Sequence, residues 1–306
     1  MMCIGIAANV LSFILFIRDS QTFVGTRFVL FCIAFTDIGY LSCMLSYCVP
    51  QLNHDNNNNK YVLSSLFISF KIFEIIRNWL LIAVTYERFL FFHEPVKFKL
   101  LWSLRRVRVI VSVIALSALA CRLPDFMHIY AEAQDPPNCE IMRYAKICHT
   151  FIDLFALTLV PIIVMIVFSI KATKTVTHVM VKNLEGNKTG GAVEHAGEYS
   201  ARIVTTLKVA MIIFVLTLLP SIPAAILEIY VELNPDADEN IIFVQMILCT
   251  VANLVSVLNS TSNFFVHYCQ SRHYRNIMTE CLCSAQRQAR RDAADTPVVE
   301  RRIQIS

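Results

Sequence analysis

Charged residues are scarce in this sequence. Asp, Glu, Lys and Arg make up 16% of the 306 residues, whereas hydrophobic residues make up 56% and the mean hydropathy is +0.56. A water-soluble globular domain carries a larger charged fraction, so this composition excludes that class of protein. The sequence predicts a membrane protein.

Motifs that carry common enzymatic chemistry are also missing. The chain contains 7 glycines and has no Gly-rich phosphate loop, no His-Glu-x-x-His motif and no paired cysteines of the metal-binding type. We therefore expect a protein that is not an enzyme, with no catalytic residue, no cofactor and no metal site. The last apolar run, from Ile241 to His267, contains no lysine, which excludes a retinal-binding pump of the simplest kind.

The sequence is rich instead in long apolar runs. A membrane-spanning helix needs about 20 predominantly apolar residues, and seven segments satisfy this requirement, although the third and fourth are more polar than the others. We predict an all-α fold in which residues 1–270 form a seven-transmembrane-helix bundle. A short amphipathic helix on the cytoplasmic membrane surface (271–284) and a disordered cytoplasmic tail (285–306) follow. The predicted spans cover residues 1–17, 28–50, 61–92, 108–130, 148–172, 203–231 and 241–268.

The charged residues that are present lie on two opposed faces. Most of the 27 basic residues follow the first, third, fifth and seventh spans, whereas acidic residues dominate the alternate loops. Since short cytoplasmic loops collect Lys and Arg, we predict a multi-pass protein of the plasma membrane, embedded in the lipid bilayer, with a cytoplasmic C-terminus. The acidic outer face would attract a cationic ligand, and the net charge of +4 gives no reason to expect nucleic-acid binding. The first span begins almost at Met1, so we expect a truncated gene model or an unusually short amino terminus.

An ion pair ends the third apolar run. Glu87-Arg88-Phe89 follows the run, and Pro95 lies shortly beyond it. An arginine at the edge of the hydrocarbon layer is costly unless a neighbour or water satisfies it. The adjacent carboxylate can hold Arg88 in one state and release it in another, which is typical of a switch that exposes a cation to a partner. The alternative is an interfacial arginine that extends to the aqueous phase.

Single polar residues in the seven spans together resemble the rhodopsin-like (class A) G-protein-coupled receptors. Glu87-Arg88-Phe89 with Pro95 is similar to the Asp-Arg-Tyr element of the third helix and the proline that follows it. The resemblance covers Asn9 to Cys283, and its other matches are Asn9, Asp37, Pro161, Phe214, Pro220, Asn259, Ser260, Asn263 and Tyr274. It implies a receptor that binds an extracellular ligand and activates a heterotrimeric G protein. It further implies that Glu87, Arg88 and Phe89 serve G-protein coupling and that Asn9, Asp37, Arg77, Phe214, Pro220, Asn259 and Asn263 form the polar core and switch.

Departures from the family pattern narrow the resemblance. Leu218 stands where the sixth-helix tryptophan is usual, and no proline follows Asn263 closely. With the run from Arg122 to Phe126, these features resemble invertebrate FMRFamide-type neuropeptide receptors, which implies a cationic, amidated peptide ligand. A chemosensory receptor for small molecules remains the alternative within receptors.

Three charged residues occupy the third span. Lys71, Glu74 and Arg77 are spaced by three, so they lie along one helical face and can pair with one another. The resemblance places Arg77 beside Asp37, where many such receptors hold sodium, and we predict that Arg77 pairs with Asp37 in place of the ion. A polar stripe that neutralises itself between helices is one alternative. A membrane transporter whose path these residues line is another.

Candidate ligand-binding residues lie toward the outer ends of the spans. Asp153 and Glu228 each lie about two helical turns outward of a proline, Pro161 and Pro220, and we expect them to face an outer cavity. The alternative is that both are solvated helix ends. The candidates for binding the peptide are Phe70, Lys71, Glu74, Asp153, Glu228 and Glu232.

The cysteines depart from the family pattern as well. Leu63 stands where such receptors place a cysteine at the outer end of the third helix, although Cys139 is available in the second outer loop. We predict that Cys139 pairs with Cys48, with Cys148 as the alternative partner. Cys281 and Cys283, on the predicted amphipathic helix, are candidates for palmitoylation or plain reduced thiols.

Overall fold

The computed structural model describes residues 1–19, 22–52, 60–186, 205, 208–209, 211–234, 236–270, 275 and 277–279, and in these ranges every regular element is helical. The first helices are α1 (Met2–Arg18), α2 (Val24–Leu52), α3 (Lys60–His93), α4 (Pro95–Leu101), α5 (Leu104–Cys121) and α6 (Leu123–Glu132). They are followed by α7 (Cys139–Ile152), a π-helical segment (Asp153–Leu159), α8 (Val160–Gly186), α9 (Ser221–Leu233) and α10 (Glu239–Gln270). Residues 211–218, just before α9, are helical too.

Several of these helices have the length and composition of membrane spans. The five that qualify are Val24–Val49, Leu104–Glu132, Cys139–Thr177, Met211–Leu233 and Glu239–Phe265, while α1 is apolar but shorter. Large apolar side chains such as Leu116, Leu216 and Phe243 are more than half exposed, as expected where lipid replaces water as the solvent. These features support a multi-pass membrane protein. The bundle of seven spans stays a prediction.

Helix α3 lies at the centre of the packing. It contacts α2, α5, α8 and the π-helical segment, while α10 packs against α1 and α9. Because lipid is as apolar as the side chains, helices in a membrane associate through close packing and polar contacts. One close approach occurs at Gly25 of α2, where an added Cβ would lie 2.7 Å from the backbone oxygen of Trp102. Trp102 itself is buried in a cluster with residues of α1, α2 and α3.

The predicted fourth span is divided into two helices. Helix α5 ends at Cys121, and Arg122 takes a non-helical ψ of 4° before α6 begins at Leu123. Pro124 lies in the first turn of α6, where its missing N–H costs no helical hydrogen bond. The kink therefore has a local cause in the sequence, and it brings Arg122 to the junction of two helices.

A π-helical segment joins α7 to α8. The wider turn leaves backbone carbonyls without their regular i+4 partners, and such carbonyls need other donors. The side chains of α3 supply two of them: Trp79 Nε1 donates to Ala156 O at 2.9 Å, and Asn78 Nδ2 donates to Leu157 O at 3.1 Å. These contacts fix the orientation of the segment that carries Asp153.

Parts of the predicted C-terminal region lie outside the described residues. Residues 275 and 277–279 of the predicted amphipathic helix are helical. The palmitoylation candidates Cys281 and Cys283 and the predicted tail, 285–306, lie outside the described residues. The amphipathic helix therefore stays a prediction.

Candidate functional site

A cavity of about 250 Å³ opens between α2, α3, α6, α7 and α9. Its apolar and aromatic wall consists of Tyr47, Leu63, Phe67, Ile68, Ile129 and Ala145. Its polar wall consists of Ser64, Asp125, His128, Lys146, His149 and Glu228. Mostly apolar walls with a few convergent polar groups are typical of ligand sites.

Glu228 is the one predicted ligand-binding residue in this cavity wall. It is half-buried, and no described residue forms a hydrogen bond or an ion pair with it. Glu232, one turn further along α9, is instead engaged: its carboxylate pairs with Lys146, and its backbone carbonyl accepts from Arg143 Nε at 3.0 Å. Glu228 is therefore available to a ligand, whereas Glu232 is already paired.

Asp153 does not line the cavity, contrary to the expectation from the sequence. The fully buried Arg122 guanidinium forms an ion pair with Asp153, and Lys71 Nζ lies 3.3 Å from Asp153 Oδ2. Arg122 Nη1 also lies 3.5 Å from Asp125 Oδ2. The carboxylate of Asp153 is thus occupied by two internal cations, because the kink at Arg122 directs a guanidinium toward it.

Phe70 is likewise placed in the core rather than in the cavity wall. Its ring is buried beside Tyr40 and Tyr47, with ring centroids 6.1 and 5.6 Å away. Phe67, one turn closer to the N-terminal end of α3, lines the cavity instead. Phe70 is therefore a core residue in this structure, and its role in ligand binding stays a prediction.

His149 connects the cavity to the buried charges. Its Nδ1 lies 2.5 Å from Asp125 Oδ1 and 2.9 Å from Arg122 Nη1, and its Nε2 lies 3.5 Å from Asp153 Oδ2. The imidazole also packs against the ring of Phe67, with centroids 5.8 Å apart. A ligand that touches His149 or Asp125 is therefore next to the ion pairs of Arg122.

The three charged residues of α3 continue this network inward. Lys71 Nζ lies 3.2 Å from Glu74 Oε2, and Arg77 Nη2 lies 3.8 Å from Glu74 Oε1, so the predicted pairing along one helical face is confirmed. Ser256 of α10 donates to the Glu74 carboxylate and accepts from Arg77 Nη2 at 3.1 Å. Lys71 and Glu74 are thus held by internal partners, with Lys71 reaching Asp153 as well.

Asp37 is the inner end of the network. Its Oδ1 lies 3.9 Å from Arg77 Nη1 and accepts from Ser260 Oγ at 2.6 Å, and its Oδ2 accepts from Asn263 Nδ2 at 2.8 Å. The Arg77 guanidinium also lies over the Tyr40 ring, 4.9 Å from its centroid. Arg77 therefore occupies the position beside Asp37 that the sequence predicts for it.

Two further asparagines of the predicted polar core differ in their contacts. Asn9 Nδ2 donates to Gly5 O at 2.9 Å and to Ser260 O at 3.1 Å, which joins α1 to α10. Asn259 is buried, and its Nδ2 has no hydrogen-bond partner among the described residues. Asn9 is thus part of the Asp37 region through Ser260, while the Asn259 amide nitrogen is not.

The predicted sixth-helix residues lie where the chain bends. Phe214 is buried in a cluster that includes Ile75, Leu157 and Leu218. Pro220 precedes α9 as its N-cap, and the turn at 219–220 separates α9 from the helical residues 211–218. The buried Phe214 ring, which packs against α3, thus belongs to the helical segment that ends at this turn.

The predicted coupling residues lie near the end of α3. Arg88 Nε is 3.4 Å from Glu87 Oε2, and the Arg88 side chain is 30% exposed. The buried Glu87 carboxylate also accepts from Thr26 Oγ1 of α2 at 2.9 Å. Phe89 packs against Phe168 of α8, with ring centroids 5.8 Å apart. Arg88 is thus held by one intrahelical ion pair whose anion is anchored to a second helix.

The predicted disulfide is not formed in the structure. Cys48 and Cys139 are both free thiols, as is the alternative partner Cys148. Cys48 packs near the end of α2 against the cluster around Tyr40, whereas Cys139 begins α7 with an exposed side chain. The two thiols belong to different environments, which is why they do not meet.

Several residues of this site were not singled out as candidates from the sequence. Arg122 and Asp125 are spaced by three and His149 and Asp153 by four, so each pair carried a signal for intrahelical contact. Ser256 had no sequence signal for its contacts, because a single serine in an apolar span has no distinguishing spacing.

Comparisons with known proteins agree with this architecture. No curated protein matches the sequence. The sequence profile described as 7 transmembrane receptor (rhodopsin family) matches residues 8–268, which is most of the chain and contains the cavity, the buried charge network and Glu87-Arg88. The family implies a ligand and a heterotrimeric G protein as partners. This chain belongs to the rhodopsin family of seven-transmembrane receptors.

Proposed function

We propose that this receptor binds an extracellular FMRFamide-like neuropeptide in the cavity and activates a heterotrimeric G protein. The observation that carries the proposal is Glu228, a cavity carboxylate with no hydrogen-bond or ion-pair partner among the described residues. A half-buried carboxylate gains most from a cationic donor, and a guanidinium can bind it through two hydrogen bonds. Glu228 is therefore the proposed counter-ion of the peptide's arginine.

The aromatic wall supports the rest of this assignment. Tyr47 and Phe67 line the same cavity and offer ring surfaces to a phenylalanine of the peptide. The volume of about 250 Å³ is smaller than the pockets of about 300–1,000 Å³ that enclose drug-sized ligands, so only the end of a peptide would enter. The same volume favours the second candidate, a chemosensory receptor for a small cationic molecule.

The buried network supports a route from ligand to partner. A ligand at Asp125 or His149 adjoins Arg122, and ion pairs continue through Asp153, Lys71 and Glu74 toward Asp37. Binding would act by population shift, favouring a state in which the segment before α9 swings about Pro220. That state would release Arg88 from Glu87 and present it to the G protein.

The topology is proposed with the function. The receptor domain covers residues 1–270 in the plasma membrane, with the surface helix 271–284 and the tail 285–306 on the cytoplasmic side, where the basic residues lie. The cavity then faces outward. Membership of the receptor family argues against the transporter alternative. The ion pairs do so too, because the charged residues of α3 pair with one another and with Asp37 rather than line an open path.

The test is G-protein activation in cells that express the chain, measured against a panel of amidated Arg-Phe peptides. We expect a response in the unmutated chain, no response in Arg88→Ala, and a potency at least tenfold lower in Glu228→Gln, because truncating one partner of a desolvated charge pair costs about 2–5 kcal/mol. Glu94→Gln removes an exposed carboxylate that pairs with Lys97 and serves as the control.

Each outcome decides between the candidates. Silence of the unmutated chain toward every peptide, with surface expression confirmed, would contradict the peptide assignment. A response to small cationic molecules that Glu228→Gln weakens would assign the cavity to a chemosensory ligand. A peptide response that Glu228→Gln leaves unchanged would remove Glu228 from the binding site.

A further inference from the structure

Lys146 of α7 and Glu228 of α9 line the same cavity, but they are not paired with each other. The Lys146 ammonium forms its ion pair with Glu232, one turn further along α9. Glu228 has no hydrogen-bond or ion-pair partner among the described residues. One flexible cation therefore lies beside two carboxylates and neutralises one of them.

The two carboxylates lie within reach of the same lysine. Residues four apart in a helix share one face, with Cβ atoms about 5–6 Å apart. The ammonium of a lysine is a point charge on a flexible four-carbon stem, so it pairs with a carboxylate from several directions. The side chain of Lys146 is 45% exposed, and partly exposed ion pairs are weak. Lys146 can therefore exchange Glu232 for Glu228 by rotating its side chain.

A second cation joins α7 to α9 independently of Lys146. Arg143 Nε donates to Glu232 O at 3.0 Å, and Arg143 Nη2 donates to Leu233 O at 3.1 Å. These carbonyls belong to the last turn of α9, where carbonyls lack intrahelical donors. Both bonds go to the backbone, so they do not need the carboxylate that Lys146 binds. An exchange at Lys146 therefore changes a side-chain contact and leaves the two helices joined.

We propose that Lys146 is a tethered competitor for the carboxylate of Glu228, and that Glu232 keeps this carboxylate free by holding Lys146 away from it. The inference rests on the proposed function, in which Glu228 binds the cationic group of a ligand. The apparent affinity for that ligand falls with the fraction of molecules in which Lys146 occupies Glu228. Glu232 is thus a positioning residue that raises affinity without touching the ligand.

The exchange of partners is tested without a ligand, by a double-mutant cycle. Thermal unfolding of the purified full chain in detergent is measured for Glu228→Gln, for Glu232→Gln and for the chain with both changes. Each single variant keeps one carboxylate for Lys146, whereas the double variant keeps neither. We expect the midpoint of the double variant to fall by a few degrees more than the sum of the two single changes. In a Lys146→Met chain the same two changes should add.

The consequence for binding is tested with the most potent amidated Arg-Phe peptide of the panel. We expect Glu232→Gln to lower the potency several-fold, because Lys146 then occupies Glu228. Adding Lys146→Met to Glu232→Gln should restore the potency to that of Lys146→Met alone, a recovery that a merely structural role of Glu232 does not predict. Glu132→Gln is the matched control, since it removes the anion of a different interhelical pair, with Lys60, and should leave the potency unchanged.

The results separate this inference from the proposed function. Midpoint changes that add in the presence of Lys146 would overturn the inference. Non-additivity that persists in the Lys146→Met chain would also overturn it, because the coupling would then be direct repulsion between the two carboxylates. A potency that Glu228→Gln lowers and Glu232→Gln leaves unchanged would exclude the competitor and keep the proposed function. If Glu228→Gln leaves the potency unchanged, the proposed function fails, and the unfolding cycle still decides whether Lys146 exchanges its partner.

Discussion

The carboxylate of Asp37 and the guanidinium of Arg77 are both fully buried, with Oδ1 and Nη1 3.9 Å apart between α2 and α3. Ser260 and Asn263 of α10 donate to the same carboxylate. A tethered cation and two hydrogen-bond donors therefore surround the anion, and three helices meet at one charge pair.

This pair predicts that sodium has no specific effect on the receptor. The Arg77 guanidinium compensates the charge of Asp37, so the thermal midpoint should be the same in sodium and potassium chloride of equal concentration, and so should the affinity of any agonist. Arg77→Ser removes the guanidinium and should make sodium the more stabilising salt. A sodium effect beyond that of potassium in the unmutated chain would contradict the prediction.

Removing the Asp153 charge should destabilise the fold strongly. Asp153→Asn leaves Arg122 and Lys71 without their shared anion, and breaking a buried ion pair costs about 3–5 kcal/mol. The free energy of unfolding in detergent measures the loss. Glu94→Gln is the matched control, because its pair with Lys97 is solvent-exposed and surface pairs contribute about 0–1 kcal/mol. Equal losses in the two variants would show that burial of the Asp153 pair has no energetic consequence.

Neutralising Glu87 should raise signalling in the absence of ligand. Glu87→Gln removes the anion that lies 3.4 Å from Arg88 Nε, while the amide oxygen can still accept from Thr26. Arg88 is then released, and we expect basal nucleotide exchange to increase several-fold. Adding Arg88→Ala to the same chain should return the rate to that of Arg88→Ala alone. Basal exchange that stays at the unmutated level would exclude the ion pair as a restraint.

A methyl group at Gly25 should destabilise the packing of α2. The added Cβ would lie 2.7 Å from the backbone oxygen of Trp102, and a backbone atom cannot move aside as a side chain can. Overpacking of this kind costs about 1–3 kcal/mol, so Gly25→Ala should lower the thermal midpoint by several degrees. Ser65→Ala, at an exposed position of α3, should leave the midpoint unchanged. A Gly25→Ala chain as stable as the unmutated one would contradict the close approach.

Sequence reasoning succeeded where helical spacing alone decides the contact. Lys71, Glu74 and Arg77 lie on one face of α3 because the period of an α-helix places them there, and their pairing needs no knowledge of other helices. The family resemblance added the neighbour, Asp37. Its contact with Arg77 follows from the register of α2 against α3.

The errors lie where the backbone departs from a straight helix. The kink at Arg122 and the π-helical segment from Asp153 to Leu159 shift the residues beyond them relative to the regular period, so Asp153 faces Arg122 instead of the cavity. Neither departure has an unambiguous signal, because Pro124 marks a helix start as readily as a kink. The burial of Phe70 could not be predicted from the sequence for a related reason. Its contacts with Tyr40 and Tyr47 depend on how α2 packs against α3.

Helices α6 and α7 form a hairpin, and the backbone N–H of Asn138 donates to Ala131 O at 3.1 Å near its tip. Arg122 lies at the base of this hairpin, where it forms ion pairs with Asp125 of α6 and with Asp153, which directly follows α7. The Arg122 side chain thus joins both helices, and the hairpin should move as one rigid body rather than as two separate helices. A ligand that widens the cavity would displace the whole hairpin. The displacement would reach α3 at the base of the hairpin, where Lys71 contacts Asp153.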